Sequence, residues 1–370
     1  MNILYTNFHL GNGGGHTTYL SYLFNGALSN GINVFMAAPG VSRLNKDLRK
    51  DSPDRVFDIE FPGKPKELLN MLRNAKKLKN IIVEKQIDIV HVNGTPDHKV
   101  VMFCKWFYRL DFSIIRTKHD SFVIKENWFA NKLYGKYTDR MITVSHYQFN
   151  HVITEQLRNK TSVIHNGVDL DYYQPREKST NLIKQFDIQD KDIVFVSVAG
   201  TALHKGWQFL VEAASKLDDE LRHKIKIIIV GNAPKDEIVE RYVNQFNMAD
   251  NIVFTGFMND VREVISIADI GFVLSIGVET ISFACREMMA MGKPTLVSDY
   301  AGLSENIDDN KDGWIFKQGS AEQIQAFLQQ VEELNLNRLS DSTQKKANGE
   351  FGLESFLNKT IASYQGLRCN

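Results

Sequence analysis

Two glutamates stand eight residues apart, Glu279 and Glu287, in the run Ser275-Ile-Gly-Val-Glu279-Thr-Ile-Ser-Phe-Ala-Cys-Arg-Glu287-Met-Met-Ala-Met-Gly292-Lys-Pro294. Apolar runs over 270–274 and 295–298 flank it. The spacing therefore predicts strand, loop, helix, strand, with Glu279 in the loop and Glu287 in the helix. Ser282 is placed to cap a helix over 283–291, and Gly292-Lys-Pro294 to stop it. That helix is apolar nearly all round, which predicts burial, and Glu287 shares a face with Phe283, Ala284, Ala290 and Met291. Desolvating a lone carboxylate costs on the order of several kcal/mol. Glu287 thus needs a partner: either a cation of the protein, such as Arg286 or Lys293, or the hydroxyls of a ligand.

Other reactive side chains stand where strands are predicted to end. Lys205, in Ala199-Gly200-Thr201-Ala-Leu-His204-Lys205-Gly206, lies just ahead of a helix start. There its ammonium and the helix's unpaired N–H groups can share one anion. Gly11-Asn-Gly-Gly14-Gly15-His16-Thr17 follows the first strand and opens the first helix, so backbone can approach a diphosphate or an acceptor. The dinucleotide pattern Gly-x-Gly-x-x-Gly is not met, because His16 stands at its third glycine, and no acid ends the second strand. His119, in Thr117-Lys-His119-Asp120, follows another strand and is a candidate at a reaction centre, with His9 a second. Asp169-Leu-Asp171 lies between the two halves, away from any strand end, and is rejected as a metal site. Cys104, Cys285 and Cys369 are far apart and form no metal-ligand spacing.

Alternating strands and helices must position these groups. Strands are predicted over 2–6, 33–37, 56–60, 87–93, 113–117, 140–144 and 162–165, then over 193–199, 225–230, 252–255, 270–274, 295–298 and 313–316. Helices are predicted over 15–28, 66–85, 97–109, 127–137, 147–155, 206–217, 235–246, 261–267 and 321–334, with a C-terminal helix over 353–364 after a polar stretch at 335–349. This alternation implies parallel sheets with helices on both faces, and ligands at the strands' carboxyl ends. The expected domains are 1–167 and 168–352, with 353–370 a terminal helix crossing back to the first.

The formal net charge is zero, but residues 1–165 hold 23 Lys and Arg against 14 Asp and Glu. A basic half suits phosphates, nucleic acid or an anionic membrane; nucleic acid is not expected here. In Lys105-Trp-Phe-Tyr-Arg109, Trp106 and Phe107 are individually read as core aromatics. The basic half as a whole is read as facing a membrane surface. The opening Met1-Asn-Ile-Leu-Tyr5 has no basic or apolar leader character, and no run is apolar enough to span a membrane. The expected location is cytoplasmic, peripheral on the membrane's inner face.

The Glu279–Glu287 segment, the lysine loop, the glycine loop and His165-Asn166-Gly167-Val168-Asp169 together resemble the family 4 retaining glycosyltransferases over nearly the full length. The resemblance implies the GT-B fold, two Rossmann-like domains facing across a cleft. It implies transfer of a sugar from a nucleotide-sugar donor to a glycan or lipid-linked glycan acceptor, as in lipopolysaccharide or capsule synthesis; no metal or other cofactor is expected, with Lys205 and backbone N–H groups neutralising the leaving diphosphate. By the same resemblance Glu279 holds the sugar, Glu287 the ribose, Lys205 the diphosphate, and His119 the sugar or reaction centre. Gly14, Gly15, Gly200, Thr201, Gly231, Thr280, Ile281 and Ser282 complete the donor contacts. Thr201 stands where the family carries a phosphate-binding Arg, and His204 or Arg286 is the expected substitute. A nucleotide-sugar epimerase of the same fold and a two-domain sugar-binding protein of the periplasmic type are the alternatives.

Overall fold

A computed structural model describes residues 1–11, 14–63 and 67–367. The chain divides into two compact units, one formed by Met1–Asn166 with the C-terminal segment from Leu353, the other by Gly167–Gly352. Both are parallel sheets wrapped by helices.

In the first unit the strands are β1 (Asn2–Thr6), β2 (Asn33–Ala38), β3 (Val56–Asp58), β4 (Ile89–Val92), β5 (Ser113–Lys118), β6 (Arg140–Thr143) and β7 (Thr161–Val163). They line up as β3-β2-β1-β4-β5-β6-β7, every pair parallel. Its helices are α1 (Gly15–Ser29), α2 (Arg43–Asp51), α3 (Leu68–Glu84), α4 (Thr95–Phe107), α5 (Trp128–Ala130, running into a π-helical turn at Asn131–Lys136), α6 (His146–His151) and α7 (Glu155–Arg158).

The second unit carries α8 (Thr180–Gln185), β8 (Ile193–Ser197), α9 (Trp207–Ser215), α10 (Asp219–Lys224), β9 (Ile225–Ile229), α11 (Asp236–Tyr242), β10 (Ile252–Phe254), α12 (Arg262–Ile267), β11 (Ile270–Val273), α13 (Phe283–Ala290), β12 (Thr295–Ser298), β13 (Gly313–Phe316), α14 (Ala321–Leu328) and α15 (Leu336–Glu350). Its strand order is β10-β9-β8-β11-β12-β13. The last helix, α16 (Leu353–Ala362), packs on α1 of the first unit. Tyr364, just past α16, hydrogen-bonds to His91 at 2.8 Å.

The central strands are apolar runs buried on both faces, as an all-parallel sheet requires. In each sheet the order reverses once, between β1 and β4 and between β8 and β11. Such reversals open a crevice at the strands' carboxyl ends, where α/β sheets bind ligands.

Several helices depart from expectation. The helix expected over 147–155 is broken into α6 and α7. The 66–85 helix begins at Leu68, with Lys66 outside the described residues, as are Asn12 and Gly13 of the glycine loop and Cys369. The polar stretch at 335–349 is helical, as α15. It has few apolar residues, and it packs on α13, with Thr343 and Ala347 buried. Trp106 and Phe107 are not core aromatics: they are 61% and 59% exposed.

Candidate functional site

In the second unit the reversal point brings together the loops after β8 and β11. The β8 loop carries Gly200, Thr201, His204, Lys205 and Gly206; the β11 loop carries Glu279, Thr280, Ile281 and Ser282. Lys205 Nζ donates to Glu279 Oε2 at 2.9 Å, with both side chains mostly enclosed. Ile276 N donates to the His204 carbonyl at 2.9 Å, fastening one loop to the other. Gly206 caps α9 with φ of 77°, and a Cβ there would lie 1.8 Å from the Leu274 carbonyl oxygen. Only glycine permits this approach. It sets Lys205 beside the first turn of α9, whose free N–H groups and dipole favour an anion.

The β11 loop is strained. Val278 and Ser282 hold φ of 50° and 57°, a region β-branched and other non-glycine residues rarely enter. Ser282 Oγ accepts from Cys285 N and caps α13. Ile281 is fully buried, and its carbonyl accepts from Asn306 Nδ2 at 2.7 Å. Asn306 Oδ1 in turn accepts from Arg286 Nε at 2.7 Å, and the guanidinium lies 4.3 Å over the Phe351 ring. Arg286 thus helps to hold the loop through Asn306. For His204, burial and the neighbouring Lys205 lower the pKa, against a smaller opposing effect of Glu279.

Glu287 lies on α13, partly open at its surface but closely surrounded by protein. Burial pushes its pKa up to about 7, offset in part by a hydrogen bond from the Tyr173 hydroxyl. It is paired with neither expected cation. Lys293 Nζ instead donates to the Ser266 and Ala268 carbonyls, at 3.0 and 2.7 Å. Thr201 is used structurally: its hydroxyl donates to Asn232 O and its carbonyl accepts from Trp207 Nε1, both at 2.8 Å. Gly231, at φ of 136°, stands beside the Thr201 methyl, where a Cβ would come within 3.1 Å.

In the first unit the loops after β1, β4 and β5 converge. Gly14 and Gly15 open α1, Gly14 at φ of 107°. His119 Nε2 pairs with Asn93 Oδ1 at 2.9 Å, and the amide orientation makes Nε2 the donor, leaving Nδ1 an acceptor. The His119 ring lies 4.3 Å from His16, which lies 4.2 Å from His9. Burial lowers the pKa of all three, His16 to about 3, so the rings are neutral at physiological pH. Beneath them, buried Arg116 leaves Nε and Nη1 without a partner, and Asp97 leaves Oδ1. Arg116 nonetheless lowers the pKa of Asp97, against the larger effect of burial.

Tyr173, Asn306, Asn93 and Arg116 were not among the expected site residues. Arg116 alone carries a signal, a cation inside an apolar strand. Asp169 and Asp171 form a turn, Asp169 Oδ1 accepting from the backbone N of Asp171 and Tyr172.

Residues 178–348 match the glycosyl transferases group 1, and residues 13–172 match glycosyltransferase family 4. A glycosyltransferase structure from Rickettsia africae superposes with a TM-score of 0.86 at 20% identity, covering 100% of this chain and 99% of that one. Anabaena HepE in complex with UDP gives 0.82 at 17% identity, covering 98% and 99%. In sequence, the UDP-Gal:alpha-D-GlcNAc-diphosphoundecaprenol alpha-1,3-galactosyltransferase of Escherichia coli is 22% identical over 84% of this chain and 83% of its own. With two Rossmann-like parallel-sheet domains and matches to both halves of the family, this chain belongs to the family 4, group 1 glycosyltransferases of GT-B fold.

Proposed function

We propose that this glycosyltransferase moves a sugar from a nucleotide-sugar donor to a hydroxyl of a glycan or lipid-linked glycan, with retention at the anomeric carbon. The observation that carries the reading is Glu287. Its carboxylate is closely enclosed, has a tyrosine hydroxyl for a partner but no cation among the described residues, and sits beside the β8/β11 reversal point. A pair of ribose hydroxyls would supply the hydrogen bonds it lacks. Lys205 and the α9 N-terminus would take the diphosphate, and Glu279 the sugar hydroxyls. The Lys205–Glu279 pair must then open, each partner trading the other for donor groups of complementary charge. Catalysis on this view is electrostatic, the lysine and backbone N–H groups stabilising the leaving diphosphate. His119, with an acceptor nitrogen at the end of β5, would meet the sugar or reaction centre.

The basic first half supports a lipid-linked acceptor, as do relatives such as the Escherichia coli enzyme, whose name specifies a diphosphoundecaprenol-linked acceptor. A lipid-linked acceptor places the enzyme at an anionic membrane surface, on the cytoplasmic face. Among the described residues no helix is long and apolar enough to cross a membrane.

The test is nucleotide release from a panel of nucleotide sugars, with and without lipid-linked glycan, followed by NMR of the product's anomeric centre. Release that depends on acceptor and keeps the donor's configuration supports the reading. An altered sugar released without acceptor makes the chain an epimerase, and inversion removes the retaining mechanism.

A further inference from the structure

The first unit exposes two aromatic clusters at opposite ends of its sheet. Helix α4 ends at Phe107, so Trp106 and Phe107 lie at the end where strands begin. Phe122, Val123, Trp128 and Phe129 follow β5 and lie at the other end, where strands finish and His119 stands. Phe122 and Trp128 are 77% and 70% exposed. These side chains are not exposed for want of anchoring. Ile124 between them is buried with Leu133, Tyr134 and Leu157, and its N–H donates to the Val152 carbonyl at 3.2 Å. Asp120 Oδ1 accepts from Phe122 N at 3.0 Å. The segment is fixed from beneath and presents its rings outward.

Cations accompany these rings. Lys132 Nζ lies 4.1 Å from the Trp128 ring centroid, and Lys99 Nζ 5.7 Å from that of Phe129. Lys125 and Lys136 are exposed on the same stretch. By contrast, Lys105, beside Trp106, is turned to the Phe112 carbonyl and to Asp139. Aromatic rings interleaved with lysines at one level match the headgroup layer of a bilayer, rings at the interface and ammonium groups on lipid phosphates.

We infer that the Phe122–Lys136 segment docks the enzyme on an anionic lipid surface and so brings a lipid-linked acceptor to the loop that carries His119. The inference rests on the lipid-linked reading of the acceptor. Phe122 is three residues from His119, a span of about 10 Å when extended, so a headgroup held at this face lies within reach of that histidine. The rings supply apolar insertion and the lysines charge complementarity, which a neutral surface would not reward.

The full chain is tested by flotation with phosphatidylglycerol–phosphatidylcholine vesicles and with phosphatidylcholine alone. Wild type should bind the first and not the second. Phe122→Ser with Trp128→Ser should weaken binding about tenfold or more, and Lys125→Gln with Lys132→Gln about thirtyfold, at about fivefold for each lysine. Trp106→Ser with Phe107→Ser should leave it unchanged. All three variants should bind UDP with wild-type affinity in solution, since none alters the donor groups. Equal binding by the Phe122/Trp128 variant, or loss in the Trp106/Phe107 variant, would overturn this face while leaving the membrane reading in place. Absence of wild-type binding to either vesicle would remove both. A wild-type dimer that the Phe122/Trp128 variant abolishes, without vesicle binding, would make the face a contact between copies of the chain.

Discussion

Replacing Glu287 by glutamine should make the protein more stable and a worse nucleotide binder. Burial raises the carboxyl from its ordinary 4.5 to about 7 in the folded protein. The folded state therefore holds this proton more tightly than the unfolded chain does. Stability is lost as pH rises from 4.5 to 7 and stays lost above. At about 1.4 kcal/mol per unit of pKa the full loss is about 3 kcal/mol. Because the side chain keeps some contact with solvent, about 1–3 kcal/mol is the working range. Glutamine keeps an oxygen for the Tyr173 hydroxyl but carries no charge to desolvate. For a unit of this size each kcal/mol moves the melting temperature by about 2–4 °C. Glu287→Gln should therefore melt several degrees higher than wild type at pH 8, and the difference should shrink to about 1 kcal/mol or less at pH 5.

Binding should move the other way. An ionised carboxylate on ribose hydroxyls contributes about 1.5–3 kcal/mol, so the variant should bind UDP about tenfold to hundredfold more weakly at pH 8. The affinity ratio between the two proteins should fall toward unity below pH 7, where wild type also carries a proton; taking the ratio at each pH cancels ionisation of the nucleotide. Differential scanning calorimetry and titration calorimetry read the two halves of the prediction. A lower melting temperature at pH 8 together with unchanged UDP affinity would refute it, and would make Glu287 a structural residue whose charge the fold requires.

Four further outcomes follow from the same geometry. Gly206→Ala should lower the melting temperature sharply or prevent folding, since its Cβ would overlap the Leu274 carbonyl and its φ is positive; normal melting would show that the loop relaxes. Lys205→Ala should weaken UDP binding more than Glu279→Gln does if, as proposed, the lysine takes the diphosphate and the glutamate the sugar; calorimetry with UDP alone separates them. Glycosyl transfer should survive EDTA, and its loss with rescue by magnesium or manganese would assign the diphosphate to a metal. Acidification should destabilise the first unit. His91 and His98 are buried with lowered pKa values, so the unfolded chain alone takes up their protons as pH falls through 6.5. Each should cost about 1 kcal/mol between pH 7 and 5.5, readable as denaturant midpoints across that range.

The fold was legible because parallel strands carry a strong local signal. All thirteen expected strands are present, displaced by no more than two residues at either end. The helices missed or broken are those whose stability is tertiary: α15 has few apolar residues to repeat, and α2 and α10 are short and charged. The positions of Glu279, Glu287 and Lys205 were legible because they follow or cap elements with clear periodicity. Their partners were not. Tyr173 reaches Glu287 from a segment with no periodicity, and Asn306 meets Arg286 across twenty residues of sequence. The exposure of Trp106 and Phe107 was also hidden, since composition alone does not say which face of α4 packs.

Thr201 shows what such long-range partners decide. Read as a sequence, it is a lost arginine that a neighbour should replace. In the fold Arg286 is fully buried, bonded to Asn306 and stacked on Phe351, and the pKa of His204 is lowered by burial and by Lys205. Thr201 itself ties the β8 loop to Asn232 and receives the Trp207 indole. Its position thus braces the start of α9, the same helix whose N-terminus Gly206 exposes. On the proposed reading, positive charge for the diphosphate comes from Lys205 and the α9 dipole. A site with one lysine must draw more of its anion affinity from that lysine than a site with an arginine beside it. That lysine is also paired with Glu279. On the proposed reading, opening this pair is part of the cost of binding, and a donor that offers both a diphosphate and sugar hydroxyls offsets it on both sides. Bare phosphate can satisfy only the lysine, which would favour the whole donor over its fragments without any further contact.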